Sequence, residues 1–523
     1  MTITEPGERL GSVPTVSRPS PIRWAKVLDQ SRCIGCHACT TACKSENDVP
    51  VGVSRTYVKS VDVGTFPQVR RAFQVTRCNQ CADAPCVAAC PTGAMHTRAD
   101  GIVDFDKRIC IGCKACMAAC PYDAIFINPE DHSAEKCNFC AHRLDIGLEP
   151  ACVVVCPTEA ILVGDLNDPT SKVSQIVHRQ AVAVRRPEQE THPKLFYKGA
   201  HQATLEPLAA RRPEGDTFMW SQMRRGAGVV NSGSSPAAHG PNSSAAALLS
   251  YDVGHSAPWG WRVSLYTWTK GIAAGGYLVP ILLAVAGQLA WSSLLVRWIG
   301  PALSLFFLAV TGVLLIWDLK HPFRFYLLFT HPQPKSWLVR GGVIISGYGA
   351  VLVAQLLMSY FHAGLAERIL AGPGIPLAIL SAIYTAYLFG QAKARDLWQN
   401  ALLPPHLAVQ ALLVGSGALL PLAAAFDRGG LHVLEIVVAL AAAAHLLFVG
   451  GETTVDHPTA HAHLAVREMV RGRFAAFFWV GVVLVAVAVA TPFVGWWLGL
   501  FGLVGLLPHE HAYVQAGQSV PLA

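Results

Sequence analysis

All sixteen cysteines of this chain lie between Cys33 and Cys156, in four tight groups, and nothing from Pro157 to Ala523 adds another. Cys33, Cys36, Cys39 and Cys43 are spaced C-x2-C-x2-C-x3-C. Cys78, Cys81, Cys86 and Cys90 have four residues in the middle and Pro91 behind them. Cys110, Cys113, Cys116 and Cys120 run into Pro121, and Cys137, Cys140, Cys152 and Cys156 carry an eleven-residue insertion and Pro157. Thiols two or three residues apart suit a metal centre better than a disulfide scaffold. Two C-x-x-C pairs would suffice for zinc. The third cysteine and the C-P ending are what a cubane needs: three thiolates cap three irons, and the fourth reaches the neighbouring cluster. The spacing therefore predicts four [4Fe-4S] clusters. Ile34, Val87, Ile111, Ile125, Val153 and Ile161 flank the cysteines and are expected to keep water off them.

Behind this polar, charged front the composition changes. Mean hydropathy is +0.37 over the whole chain, and apolar runs from about Trp261 onward supply it. Stretches long enough to cross a bilayer occur near 264–287, 298–318, 341–361, 371–390, 406–425 and 432–450. A longer one, 475–507, is interrupted at Thr491-Pro492 and Gly495-Trp496-Trp497, so it is one long span or a hairpin of two. Eight transmembrane helices are predicted, with seven as the alternative. The net charge of +7 is scattered and lacks an aromatic-flanked basic face, so no nucleic-acid partner is expected.

Between the two parts, residues 185–260 read as a linker, with its NSGSS stretch mobile. Within it, the less polar Thr191–Leu208 is expected to lie ordered against a partner or the membrane surface. The start, MTITEPGERLGSVPTVSRPSP, reads as a tail (1–23) with no apolar export signal.

The runs RCIGCHACTTACKSEN, RCNQCADAPCVAACPTGA, ICIGCKACMAACPYDA and KCNFC…PACVVVCPTEA resemble the four-cluster subunit of the molybdopterin oxidoreductase family, over Trp24–Leu166. That family includes dimethyl sulfoxide, polysulfide and tetrathionate reductases and formate dehydrogenases. The segment WDLKHPFRFYLLFTHPQPKSW (Trp317–Trp337), with YTWTKGIAAGGYL and the ending YVQAGQSVPLA, is similar to the NrfD/polysulfide-reductase membrane subunits, over Trp261–Ala523. The resemblance implies an α+β double ferredoxin-like iron–sulfur domain (24–184) followed by an all-α polytopic membrane domain (261–523).

It further implies a pairing of the first cysteine group with the fourth and the second with the third. Cys33, Cys36, Cys39 and Cys156 would hold one cluster, and Cys43, Cys137, Cys140 and Cys152 another. Cys78, Cys81, Cys86 and Cys120 would hold a third, and Cys90, Cys110, Cys113 and Cys116 the last. No haem is expected: the family has none, and the sequence places no histidine pair on facing helices.

Polar residues in membrane helices are costly, and so are usually functional or paired. The helix ends nearest the iron–sulfur domain carry Trp268, Lys270, Asp318, His321, Arg324, Lys393, Asp396, His406, Gln410 and Glu452, with His445 a turn or two inside. Of these, Trp268, Lys270, Asp318, His321, Arg324, His406, Gln410 and His445 are the candidates for binding menaquinone or ubiquinone. The plainer reading makes Lys270, Arg324 and Trp268 interfacial anchors. No stretch of the chain has room to cradle a molybdopterin, so substrate chemistry is assigned to a separate catalytic subunit, with a hydrogenase subunit as the alternative. A redox-linked ion-translocating module is the competing reading. Between Gly341 and Gly450, Glu435 and His445 are its main interior groups.

The chain is thus expected to be the electron-transfer and anchor subunit of a respiratory complex in the cell inner membrane. Lys320, Arg324, Lys335, Arg340, Lys393, Arg395, Arg467, Arg471 and Arg473 fall in loops on the iron–sulfur side, and Arg297, Arg368 and Arg428 on the other. Basic loops stay in the cytoplasm, so the iron–sulfur domain is placed there, as in the family's cytoplasmic sulfite-oxidising members.

Overall fold

The computed structural model of the protein describes residues 22–65, 67–212 and 247–523. The tail up to residue 21 and the NSGSS stretch lie outside the described residues.

Apart from one hairpin of ten-residue strands, the iron–sulfur domain is built on short strands, because its chain is committed to cysteine loops. Its main sheet has the spatial order Ile161–Asp165, Trp24–Asp29, Leu195–Lys198, Val182–Ala183. Trp24–Asp29 runs antiparallel to Ile161–Asp165, with Trp24 opposite Asp165, and parallel to Leu195–Lys198, with Lys26 opposite Leu195. A hairpin of Thr56–Thr65 and Gln68–Arg77 takes Ala247–Tyr251 as a third strand. Two small hairpins, Met95–Thr97 with Val103–Phe105 and Phe126–Ile127 with Ala134–Glu135, follow the second and third cysteine groups. The first of these takes its second strand from Gly101–Arg108, GIVDFDKR, whose apolar and polar residues alternate.

The boundary drawn at residue 184 is corrected by this sheet. Leu195 and Tyr197 alternate into the core, so Leu195–Lys198 completes the iron–sulfur sheet instead of lying on a partner. Ala247–Tyr251 does the same at the other end of the supposed linker, with Leu249 buried.

The membrane domain is a bundle of α1 (Trp261–Val285), α2 (Gly300–Asp318), α3 (Trp337–Tyr360), α4 (Gly364–Gly390), α5 (Leu403–Phe426), α6 (Leu431–Thr454), α7 (Ala475–Ala488) and α8 (Gly499–Ser519). Among the described residues, six helices are long and apolar enough to cross a membrane. A seventh span results if Ala460–Val470 and α7, bent by 69°, count together. The last apolar stretch proves to be a hairpin: Pro492 and Gly495 break it, and α8 returns antiparallel along α7, Gly481 against His509 and Ala488 against Gly502. Among the described residues the spans thus number six, or seven with the bent pair, rather than the predicted eight, and α8, which carries His509, Glu510 and His511, is screened by its neighbours. The centre is α1, which meets α5 where Gly275 lies directly on Ala411 and Gly415. Backbones approach that closely only where side chains are missing, as is common among helices in lipid.

The loops 319–336, 391–402 and 455–474 and the C-terminal end of α8 all face the iron–sulfur domain. His321 N–H donates to the Ile111 carbonyl at 3.2 Å and Gln333 N–H to that of Pro91 at 2.9 Å. Arg395 donates to the carbonyls of Gln518 and Val520, and Arg185 to that of Leu522. The buried C-terminal residues Val520, Leu522 and Ala523 thereby become part of the junction.

Candidate functional site: four thiol sets and a junction pocket

The cysteine loops owe their shape to residues with positive φ at Gly35, His37, Gly112, Lys114 and Cys140. Such turns fold the chain back on itself, so that neighbouring thiols converge. All sixteen cysteines are free of disulfides, and only Cys36 is exposed. Cys33 has Cys156 and Cys36 as neighbours, and Cys43 has Cys137, Cys152 and Cys140. Cys86 stands among Cys78, Cys120 and Cys81, and Cys116 among Cys113, Cys90 and Cys110. The first group therefore meets the fourth, and the second meets the third.

Burial pushes the Cys39 thiol up to about 11 and the Cys43 and Cys120 thiols to about 12, each with other thiols adding to the rise. Crowded, desolvated thiols are poor thiolates by themselves, and iron ions would supply the missing positive charge. Cys152 shows the same need from the other side. Burial would raise it, but Arg77, donating to Sγ at 3.0 Å, and Lys26 outweigh burial and hold it at about 7. Four sets of four soft donors fit cubane clusters. Of the expected apolar shields, Ile111, Ile125 and Ile161 are buried and Val87 and Val153 half-buried, whereas Ile34 is 59 % exposed beside Cys33 and Cys36.

The third cysteine loop presses on the membrane domain. Trp259 Nε1 donates to the Cys113 carbonyl at 3.2 Å, and Arg324 donates to the carbonyls of Cys110 and Lys107 at 2.9 Å each. Gly112, at φ +67°, faces the Lys320 backbone at 3.1 Å from where a Cβ would stand, so a side chain there would push the two domains apart. Lys114 Nζ donates to Asp318 at 2.9 Å. Beside this pair a cavity of about 570 Å³ opens, lined among others by Lys114, Met117, His132, Trp261, Arg262, Asp318 and Lys320. Its size is in the range of small-molecule sites.

The eight residues picked out as quinone contacts divide four ways. Asp318 lines the 570 Å³ cavity. Arg324 is a docking strut, and His321 turns toward Ser133 at 3.5 Å, because the loop they sit on is consumed by the domain contact. Trp268 donates to the Leu503 carbonyl at 2.8 Å, joining α1 to α8. Lys270, His406, Gln410 and His445 lie in the bundle interior, away from that cavity.

Lys270 Nζ donates to the Ala382 carbonyl at 2.8 Å and to Thr385 Oγ1 at 2.5 Å. His406 accepts or donates at Nε2 with His445 Nδ1, 2.9 Å away, and its Nδ1 meets Glu452 at 3.2 Å. His406 and His445 do face each other across helices, contrary to expectation. At 2.9 Å they are too close to stand trans on one haem iron, which needs two in-line bonds of about 2 Å each. A cavity of about 20 Å³ lies among Thr267, His406, Gln410, Glu510 and Tyr513, with space for about one water molecule. The sequence reading missed His509, Glu510 and Tyr513, although His-Glu-His in an apolar helix is itself a signal. It also missed the brace at the junction, where His255 sits 2.7 Å from Asp123 and 3.3 Å from Asp252.

Comparison with known proteins agrees with both halves. The family model for the 4Fe-4S dicluster domain matches residues 69–166, that for the 4Fe-4S binding domain residues 24–45, and that for polysulphide reductase, NrfD, residues 251–496. The B subunit of tetrathionate reductase from Salmonella typhimurium is 44 % identical over 193 residues, 36 % of this chain and 77 % of that protein. Protein NrfC of Escherichia coli is 45 % identical over 178 residues, 34 % of this chain and 80 % of that one. The B component of polysulfide reductase from Wolinella succinogenes is 41 % identical over 177 residues, 33 % of this chain and 93 % of that one. The chain therefore belongs to the family of 4Fe-4S electron-transfer subunits that these relatives represent, joined in one polypeptide to an NrfD-type multi-pass membrane subunit.

Proposed function

We propose that this chain carries electrons between a separate, molybdopterin-containing catalytic subunit and menaquinone or ubiquinone in the cell inner membrane. The sixteen cysteines would hold four [4Fe-4S] clusters, in the four sets described above. Clusters held there supply one-electron transfer at potentials set by their surroundings. The observation that carries the reading is the 570 Å³ cavity, whose wall is shared by the third cysteine loop, through Lys114 and Met117, and by the ends of α1 and α2. A quinone head group there would sit beside the cluster set nearest the membrane.

The chemistry asked of the protein is then local. Reduction of a quinone leaves charge on two oxygens, which need donors and then protons. Lys114 Nζ, now spent on Asp318, and the side chains of Lys320 and Arg262 can point donors at those oxygens. Asp318 holds Lys114 in place and can pass a proton from the aqueous edge. The cavity beside His406 and Gln410 has room only for water, and Lys270 and His445 are buried against interior partners, so we assign this group no quinone contact.

An exposed face of the domain, around the first cysteine group, suits the catalytic partner. Cys36 is exposed there, and Ile34, Val154 and Val155 on the same cysteine segments are 59 %, 60 % and 40 % exposed. Subunits of tetrathionate, arsenate and polysulfide reductases among the relatives support a reductase-like partner. The concentration of basic loops on the iron–sulfur side supports a cytoplasmic position for the clusters and that partner.

An azido-quinone crosslinked by light to the purified complex tests the site. Label is expected in peptides containing 256–262 or 317–320. Label confined to 403–414 and 506–514 would move the site into the bundle and refute the assignment.

A further inference from the structure

We propose that His406, His445 and His509 form a three-imidazole site for a borderline first-row divalent cation of the zinc class, inside the membrane bundle. The three side chains come from α5, α6 and α8, and each is no more than 1 % exposed. One ligand nitrogen of each lies within 4.8 Å of the others. The rings of His445 and His509 meet edge to face at 4.7 Å between centroids.

Their polar atoms are poorly used as they stand. His445 Nε2 and both ring nitrogens of His509 have no hydrogen-bond partner among the described residues, and neither have Glu452 Oε2 and Gln410 Oε1. Buried polar atoms are nearly always paired, and an ion bound by one nitrogen of each ring and by Gln410 Oε1 takes up the Gln410 oxygen and one of the two His509 nitrogens.

The donor set favours a cation over other ligands. Imidazole suits zinc, copper, iron and nickel. Three neutral ligands bring no charge of their own, and Glu452 offsets part of the ion's charge in a dry environment. Glu452 Oε1 also takes the proton side of His406 Nδ1 at 3.2 Å, which leaves Nε2 with its lone pair toward the other two rings. A carboxylate behind a metal-binding histidine is the usual arrangement. A tetrahedral ion with bonds of about 2.0 Å spaces its nitrogens by about 3.3 Å. The His406–His445 pair, at 2.9 Å, reaches that by a small ring rotation. Gln410 stands 3.4 Å from His406 Nε2 and can offer its Oε1 as a fourth ligand after an amide flip. An ion held there ties α5, α6 and α8 together.

The test uses the full chain with clusters intact, purified anaerobically, stripped with a chelator and titrated with zinc sulfate alone. The zinc K-edge spectrum is expected to show one zinc per chain with nitrogen and oxygen at about 2.0 Å and no sulfur at about 2.3 Å. His445→Gln and His509→Gln are each expected to weaken binding at least tenfold, while His511→Gln binds like the parent. Unchanged visible absorption of the clusters verifies that each variant is folded. If a variant does not fold, the parent spectrum decides alone. Sulfur-dominated zinc, undiminished binding in both folded variants, or no zinc bound by the parent overturns the site.

Discussion

Lys114, on the third cysteine loop, and Asp318, at the end of α2, form an ion pair at 2.9 Å although 204 residues separate them. Each side chain is about nine-tenths sheltered, at 11 % and 12 % exposure. Removing one partner strands the other charge in a half-dry place, at a cost of about 1–3 kcal/mol. Lys114→Met is therefore expected to lower the denaturation midpoint of the purified chain. The double variant Lys114→Met/Asp318→Asn should recover most of that loss, because no charge is left stranded. Losses that simply add would show that the pair does not hold the junction.

Cys113 lies in the set nearest the membrane, so Cys113→Ser should lose one cluster selectively. Iron is expected to fall from about sixteen to about twelve atoms per chain, with acid-labile sulfide in step. Stoichiometric zinc with little iron in the anaerobically prepared parent would contradict the cluster assignment altogether.

The brace around His255 gives a pH dependence. Burial would lower the His255 pKa, but Asp252 and Asp123 outweigh it and hold the imidazolium up to about 9, above the ordinary 6.5. This stabilisation is full below pH 6.5 and is lost as pH rises through about 9. The pKa difference corresponds to about 3 kcal/mol. Lys59, which also faces Asp252, is pushed down to about 7 by burial and titrates in the opposite sense. The informative quantity is thus the difference in stability between the parent and His255→Gln at each pH. It should be largest near pH 6 and shrink toward pH 10. A pH-independent difference would mean that the imidazole is not charged in the folded protein.

The cluster region was legible in the sequence because its code is local. A cysteine two or three residues from the next states its own geometry, and the C-P endings mark where each loop turns. Asp318 stood out for a related reason, as an acid that ends an apolar helix, and it lines the junction cavity. His321 and Arg324 were misplaced because nothing local says that their loop is taken up by Cys110 and Ile111. The interior histidines needed three helices to converge, and hydropathy reports the length of a helix but not which face meets which neighbour. Leu195–Lys198 was read as part of a linker because four residues of alternation among prolines and charges look weak until a parallel partner strand is known.

Sidedness can be settled with reporters. Residues 363–374 lie at the end of the bundle away from the iron–sulfur domain, where Arg297 pairs with Glu367 at 3.0 Å. Residues 391–404 lie at the iron–sulfur end, where Arg395 binds the C-terminal backbone. A reporter active only outside the cell should work when fused in the first segment and stay silent in the second. The opposite pattern would place the clusters outside the cytoplasm.

The central claim, that this chain passes electrons between its clusters and membrane quinone at the Lys114–Asp318 junction, is tested most directly by stopped-flow reoxidation. The purified chain is reduced with dithionite and mixed with a short-chain quinone while cluster absorption is followed. The parent should reoxidise rapidly and completely, and Asp318→Asn at least about tenfold more slowly with its cluster content unchanged. Reoxidation of the variant at the parental rate, or a parent whose reduced clusters ignore quinone, would contradict the account.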